Sequence, residues 1–208
     1  MSTATPRKKA SRKSADERGL EIRSAAVDLA REDGLAGLTL RSIAGRVGVV
    51  PALVAHYEPS MEQLVADTFR TLASAELDEI AAITAPSTLG PAERLSLFIA
   101  TALDPSRDKV TTVWVDAWSL GRRNPALAEA VRDLSDAWEA QALAIVTEGV
   151  DSGVFATRDP EGVAWLVIGI VDGLNAQSAI HDRHDAGKIR IVRAAVEREL
   201  GLAAGALG

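Results

Sequence analysis

The stretch LTLRSIAGRVGVVPALVAHY, residues 38–57, admits few backbones. Leu40, Ile43, Ala44 and Val47 recur at i, i+3, i+4 and i+7, the apolar stripe of a helix about two turns long. Thr39 stands just ahead of it, where a hydroxyl accepts a bond from the first free backbone N–H groups. Gly48 follows the last apolar position, where a left-handed residue lets the chain turn sharply. Pro51 takes the first turn of a second helix, where its missing N–H has no partner to lose. Two short helices across a glycine turn make a helix-turn-helix, whose second helix enters the major groove of DNA. The spacing therefore points to DNA binding.

Net charge of −6 over 208 residues opposes that expectation until its distribution is examined. Residues 1–60 hold ten Lys/Arg against seven Asp/Glu, a balance of +3, while the other 148 residues hold 13 against 22, a balance of −9. A basic end carrying the helix-turn-helix and an acidic body suit an oriented DNA reader. The chain has no cysteine, which removes disulfides and thiolate metal sites and fits a reducing compartment. No apolar segment of signal-peptide length follows the basic start. The longest apolar run, Val163 to Val171, ends at Asp172, far short of the roughly 20 residues a spanning helix needs. A cytoplasmic protein without a membrane partner is expected.

Residues 2–15 are Ser, Thr, Lys, Arg and Ala with one Pro and no acid, a composition expected to be disordered in isolation. In residues 1–15, Arg7, Lys8, Lys9, Arg12 and Lys13 either lie along phosphates or a minor groove, or form a solubilising tail. Asp16 to Asp33 reads as a helix with Ile22, Ala25, Ala26, Leu29 and Ala30 on its apolar face, ended by Gly34. It closes a three-helix head over 16–60, too small to bury much core alone. From Met61 onward helical spacing recurs without strand-like alternation. Helices are expected from Met61, over Ala92–Leu103, Asp108–Arg123, about Pro125–Asp151, Glu161–Ile180 and Lys188–Leu200. The end from Gly201 to Gly208 is expected to fray. The fold class is all-α, with about nine helices.

The layout resembles the TetR family of bacterial transcriptional regulators. The likeness is most specific over about Leu20–Leu64, through Gly34 before Leu38-Thr39-Leu40, Ile43-Ala44, Val47-Gly48-Val49, His56-Tyr57 and Pro59-Ser60. The body is similar to the BetI-like subgroup through Trp114 to Trp118, Arg123-Asn124-Pro125 and Val171-Asp172-Gly173-Leu174. The resemblance implies a ligand-responsive regulator, typically a repressor. It would bind a near-palindromic double-stranded DNA operator as a homodimer and leave it when a small-molecule effector enters the body. On that footing residues 61–208 form a ligand-binding and dimerisation domain. Four positions depart from the family pattern: Val50 where a capping hydroxyl is usual, Ala55 where an aromatic is frequent, Glu58 in place of Phe, and Met61 in place of a phosphate-binding Lys.

Within the motif, Val50, Pro51, Ala52, Ala55 and His56 should face the groove while Leu53 and Val54 hold the head together. His56 suits a base edge or a phosphate and Tyr57 a phosphate oxygen. Thr39, Arg41 and Ser42 open the preceding helix, where free N–H groups also favour phosphate. Trp114 and Trp118 share one helical face, with Phe98 and Trp138 on neighbouring helices. By spacing alone these four are core; the resemblance implies an aromatic-lined ligand cavity. An aromatic box holds a quaternary ammonium by cation–π attraction, but it also suits flat or acyl ligands. Glu161–Ile180 is apolar nearly all round, and Gly169 and Gly173 would admit a second helix closely. With Lys188–Leu200 it suggests a four-helix dimer interface. His181, Asp182, His184 and Asp185 have ligand-like spacing, but two histidines three apart are weak evidence and no metal site is expected. No Ser/His/Asp order, paired-carboxylate setting or phosphate-cradling glycine loop is present, so neither an enzyme nor a cofactor is expected. The alternative is a helical carrier or enzyme with an incidental helix-turn-helix.

Overall fold

The computed structural model describes residues 14–85, 88–181 and 186–208, and among them the regular elements are helices without strands. Nine α-helices are present among the described residues: α1 (Ala15–Asp33), α2 (Leu40–Val47), α3 (Pro51–Tyr57), α4 (Met61–Ile83), α5 (Pro91–Ala102), α6 (Asp108–Gly121), α7 (Pro125–Asp151), α8 (Pro160–His181) and α9 (Ala186–Glu199). Short 3-10 turns at Leu35–Gly37 and Pro105–Arg107 lead into α2 and α6. The basic residues Arg7, Lys8, Lys9, Arg12 and Lys13 lie outside the described residues, as does the Asp182–Asp185 segment of the ligand-like cluster.

Local chemistry sets most of the boundaries. Ser14 accepts from the Glu17 N–H while the Glu17 carboxylate takes the Ser14 N–H, a reciprocal cap that starts α1 a residue before Asp16. Thr39 and Ser42 cap α2 in the same way. Gly48 ends α2 in the left-handed region, φ 73° and ψ 38°, which costs glycine no Cβ clash. Asn124 accepts from the Leu127 N–H to start α7 and donates its side-chain amide to the Glu62 carbonyl, tying α7 to the start of α4.

Two apolar clusters fill the interior. The first joins Ile22, Leu29, Leu35, Ile43 and Val54 of the head to Leu64 and Phe69 of α4, Val113 and Ala117 of α6, and Leu127 of α7. The three-helix head therefore shares its core with the body, which supplies the apolar surface a unit of that size lacks. The second cluster packs Ile80, Leu95, Phe98, Ile99, Ile145, Val163, Val167 and Val196 around α7 and α8. Helices α6 and α7 touch both.

The end of the chain corrects an expectation. Residues beyond Gly201 do not fray: Leu207 is buried in the second cluster. Buried Glu197 of α9 accepts the N–H groups of Gly205 and Leu207 at 3.1 and 2.9 Å, and Ser96 of α5 donates to the Leu207 carbonyl. A short apolar tail of glycine, alanine and two leucines reads as loose until the carboxylate that anchors it folds alongside.

Candidate nucleic-acid interface and ligand cavity

Helix α3 stands at one end of the molecule with Val50, Pro51, Ala52 and His56 exposed. Val54 is fully buried and turns the helix, while Leu53, Ala55 and Tyr57 are half-buried. Tyr57 packs against the head core and meets the His56 ring edge-on at 5.2 Å. Val50 makes no side-chain cap, so α3 starts on Pro51 alone. Of the three residues at the start of α2, Arg41 is exposed and makes no ion pair among the described residues. The Thr39 and Ser42 hydroxyls are engaged in the cap, and Ser42 also donates to the Gly37 carbonyl at 2.9 Å. Their role in the structure is to hold α2 and Arg41 in place.

Two of the unusual positions acquire a physical reason. Glu58 pairs with Arg23 of α1 at 2.8 Å, so its charge is balanced beside the interface. Met61 packs against the head core, a contact a lysine head group would not make.

A small cavity, open in part to solvent, lies between α4, α6, α7 and α8. Trp114 and Trp118 of α6 and Trp138 of α7 line it, together with Ser135, Glu76 of α4, and Asp172 and Asn175 of α8. Trp114 and Trp118 have ring centres 6.0 Å apart, and Phe69 meets Trp114 edge-on at 4.9 Å. Phe98 does not line the cavity. It is fully buried and braces Trp138 at 5.7 Å, because the apolar face of α5 turns into the second core cluster.

The two carboxylates are what aromatic spacing missed. Glu76 is buried and accepts the Trp114 indole N–H at 3.0 Å, with the Arg107 guanidinium 3.4 Å away. Burial raises its pKa, and Trp114 and Arg107 pull against that shift. Asp172 makes no ion pair or hydrogen bond among the described residues; burial first, and the Glu76 charge second, push its carboxyl up to about 6. The sequence signal was an acid on an apolar stripe: Glu76 follows Leu72 and Ala73, and Asp172 interrupts the most apolar run. Asn175, which donates to the Ala102 carbonyl at 3.1 Å, lies one turn further on.

On α8 an outward stripe of Glu161, Trp165, Gly169, Gly173 and Gln177 is exposed, with Trp165 66% accessible. Nothing lies within 4 Å of the place a Cβ would take at Gly169 or Gly173. Ile191 of α9, 63% accessible, lines a shallow apolar groove with Ile170 and Leu174 of α8. No described helix is long and apolar enough to cross a membrane, and no metal-binding group of three acids or histidines occurs among the described residues.

These elements match known proteins in the same order. The family model for the C-terminal part of BetI-type transcriptional repressors matches residues 91–201, and that for bacterial regulatory proteins of the tetR family matches residues 22–68. The chain belongs to the TetR family. The HTH-type transcriptional regulator BetI of Rhizobium meliloti (strain 1021) is 28% identical over 159 residues, 75% of each chain. A transcriptional regulator of Saccharomonospora viridis solved in complex with choline superposes with TM-score 0.73 at 20% identity, covering 88% of this chain and 95% of that one. The FadR regulator of Bacillus subtilis, solved with stearoyl-CoA, gives TM-score 0.67 at 18% identity over 87% of this chain and 97% of that one. As a TetR-family member the chain is a ligand-responsive, DNA-binding transcriptional regulator and not an enzyme.

Proposed function

We propose that the chain is a repressor that binds a near-palindromic operator as a homodimer in the cytoplasm and is released by a small organic cation. One observation carries the choice of effector: among the described residues the Asp172 carboxylate has no partner, and it lines a cavity walled by three tryptophans. Indole faces attract a cation by roughly 0.5–2 kcal/mol each when desolvated, and the carboxylate supplies the counter-charge. The fold alone leaves the ligand open, since similar structures hold choline and stearoyl-CoA. Here the acidic lining favours the quaternary ammonium and repels the acyl-CoA phosphates.

At the other end, Val50, Pro51, Ala52, Ala55 and His56 would meet base edges, with Arg41 and Tyr57 on phosphates and the 1–15 arm adding salt-dependent contacts. The exposed stripes of α8 and α9 would pair with their copies, setting the two α3 helices about 34 Å apart or a multiple of that.

The test is fluorescence anisotropy with the full chain and DNA from its own promoter. Specific binding that is relieved by choline chloride, and lost in His56→Ala/Tyr57→Ala with the fold intact, is expected. Equal affinity for promoter and random DNA would overturn the proposal. So would a monomer at micromolar concentration by light scattering.

A further inference from the structure

Arg23 of α1 and Glu58 at the end of α3 do more than balance one another. The 2.8 Å contact joins one terminal nitrogen of Arg23 to Oε1 of Glu58. The planar guanidinium carries five N–H donors, and this is the one hydrogen bond it makes among the described residues. The Arg23 side chain is 50% exposed against 16% for Glu58, so the cation stands outside the acid. Its chain runs back along α1, as helical side chains do, and covers buried Gly19. A Cβ at Gly19 would meet both terminal nitrogens at 3.4 Å. The guanidinium is therefore seated over Gly19 and held by Glu58, with donors left over for a third partner.

The place of the pair decides what that partner is. Glu58 directly follows Tyr57, and His56, Pro59 and Ser60 beside it are exposed. Helix α3 has seven residues, about 10 Å of length, and the major groove is roughly 12 Å wide. A group at the end of so short a helix borders the phosphate ridge rather than the bases. A bare carboxylate there would repel DNA, but Arg23 covers it and offers its free donors to the same ridge. Other cations of the head are committed elsewhere: Arg18 pairs with Glu21, and Arg46 with Glu32 near the far end of α1. Met61, where a phosphate-binding lysine is usual, packs into the head core.

Resting on the reading of α3 as the helix that enters the groove, we infer that Arg23 binds an operator phosphate, with Glu58 behind it as the positioning residue. A carboxylate–guanidinium–phosphate chain then does the work of the lysine absent at position 61, from a different helix. Arg23 serves affinity and register, and carries no base preference of its own.

The full chain is titrated by fluorescence anisotropy against its own promoter and against a random duplex over a salt series. Arg23→Ala is expected to weaken both about tenfold, the scale of one charge-assisted hydrogen bond. The slope of log K against log salt should fall by about 0.9 for each protomer bound. Arg23→Leu/Glu58→Phe exchanges the ion pair for apolar packing, so it should melt near the native temperature and still lose the same slope. Phosphate ethylation interference on the promoter reads the contact itself. One position in each half-site should vanish in Arg23→Ala and in the double variant. It should weaken in Glu58→Ala and persist in Glu58→Gln, whose side-chain carbonyl still accepts from the guanidinium.

An Arg23→Ala protein that melts lower but keeps the native slope would make the pair a structural clasp and overturn the phosphate contact. Equal interference in Glu58→Ala and Glu58→Gln would strip Glu58 of its positioning role. If the native chain shows no preference for its promoter, the repressor proposal fails. The slope on random duplex still judges Arg23 in that case, because a phosphate contact reads no sequence.

Discussion

Asp116 Oδ2 accepts the backbone N–H of Ala36 at 2.9 Å, joining α6 of the body to the turn that follows α1 of the head. The residue lies between Trp114 and Trp118, so one turn of α6 carries two cavity walls and a bond to the DNA-binding end. A ligand that shifts α6 must strain or move this bond, which makes it a route for coupling. Asp116→Ala should retain cation binding, while the ligand's effect on operator affinity falls about five- to tenfold, within the usual coupling range. Operator Kd measured with and without saturating choline decides it; unchanged coupling would place the route elsewhere.

Gly34 lies directly under that carboxylate. Its φ is +76°, and a Cβ there would come within 2.4 Å of Asp116 Oδ2. Gly34→Ala should therefore destabilise the fold by about 1–3 kcal/mol through backbone strain and the clash together. In an Asp116→Ala background the penalty should shrink to the backbone part, which a double-mutant cycle of thermal melts reads directly.

Arg41 and His56 should separate by the part of the duplex each meets. Arg41→Ala is expected to weaken specific and random DNA alike and to flatten the slope of log K against log salt by about one, the share of a single phosphate neutralised by one arginine. His56→Ala should instead relax specificity, costing roughly 1–3 kcal/mol against the preferred operator if it meets a base edge. Anisotropy titrations over a salt series distinguish the two.

The Asp172 carboxyl, held at about 6 by burial and then by Glu76, makes the fold pH-sensitive in a definite direction. Below the unfolded value of roughly 4 both states are protonated and nothing is lost. Between there and about 6 the unfolded chain ionises first, so stability falls as pH rises. Above that the full cost stands, on the order of 2 kcal/mol after allowing for partial exposure. Asp172→Asn should thus melt higher than the native chain above about pH 7, and the difference should vanish near the unfolded value. Cation binding should tighten as pH rises through the same window, with proton uptake by buffer seen calorimetrically.

Leu207 is 1% exposed, and its N–H and that of Gly205 both donate to the Glu197 carboxylate. Leu207→Ala should cost about 2–4 kcal/mol, the usual scale for a buried leucine. A melting temperature within a degree of the native value would show the tail to be peripheral.

The chain alone was enough for the helix-turn-helix, because capping, glycine turns and a 3.6-residue stripe are local forces written in consecutive residues. Thr39, Gly48 and Pro51 each act on their own backbone neighbours, so their positions already define α2 and α3. The same holds for Asn124 and the start of α7. Tryptophans at helical spacing were legible too, but whether they filled a core or walled a cavity was not. That choice depends on which helix faces they meet, and it fell differently for neighbours: Phe98 wholly into the core, Trp138 into the same core but also onto the cavity. The pairing of Glu58 with Arg23, the anchoring of Leu207 by Glu197 and the lack of a partner for Asp172 among the described residues were equally beyond local reading. A charge's worth is set by the groups that surround it after packing, and those came from other segments of the chain.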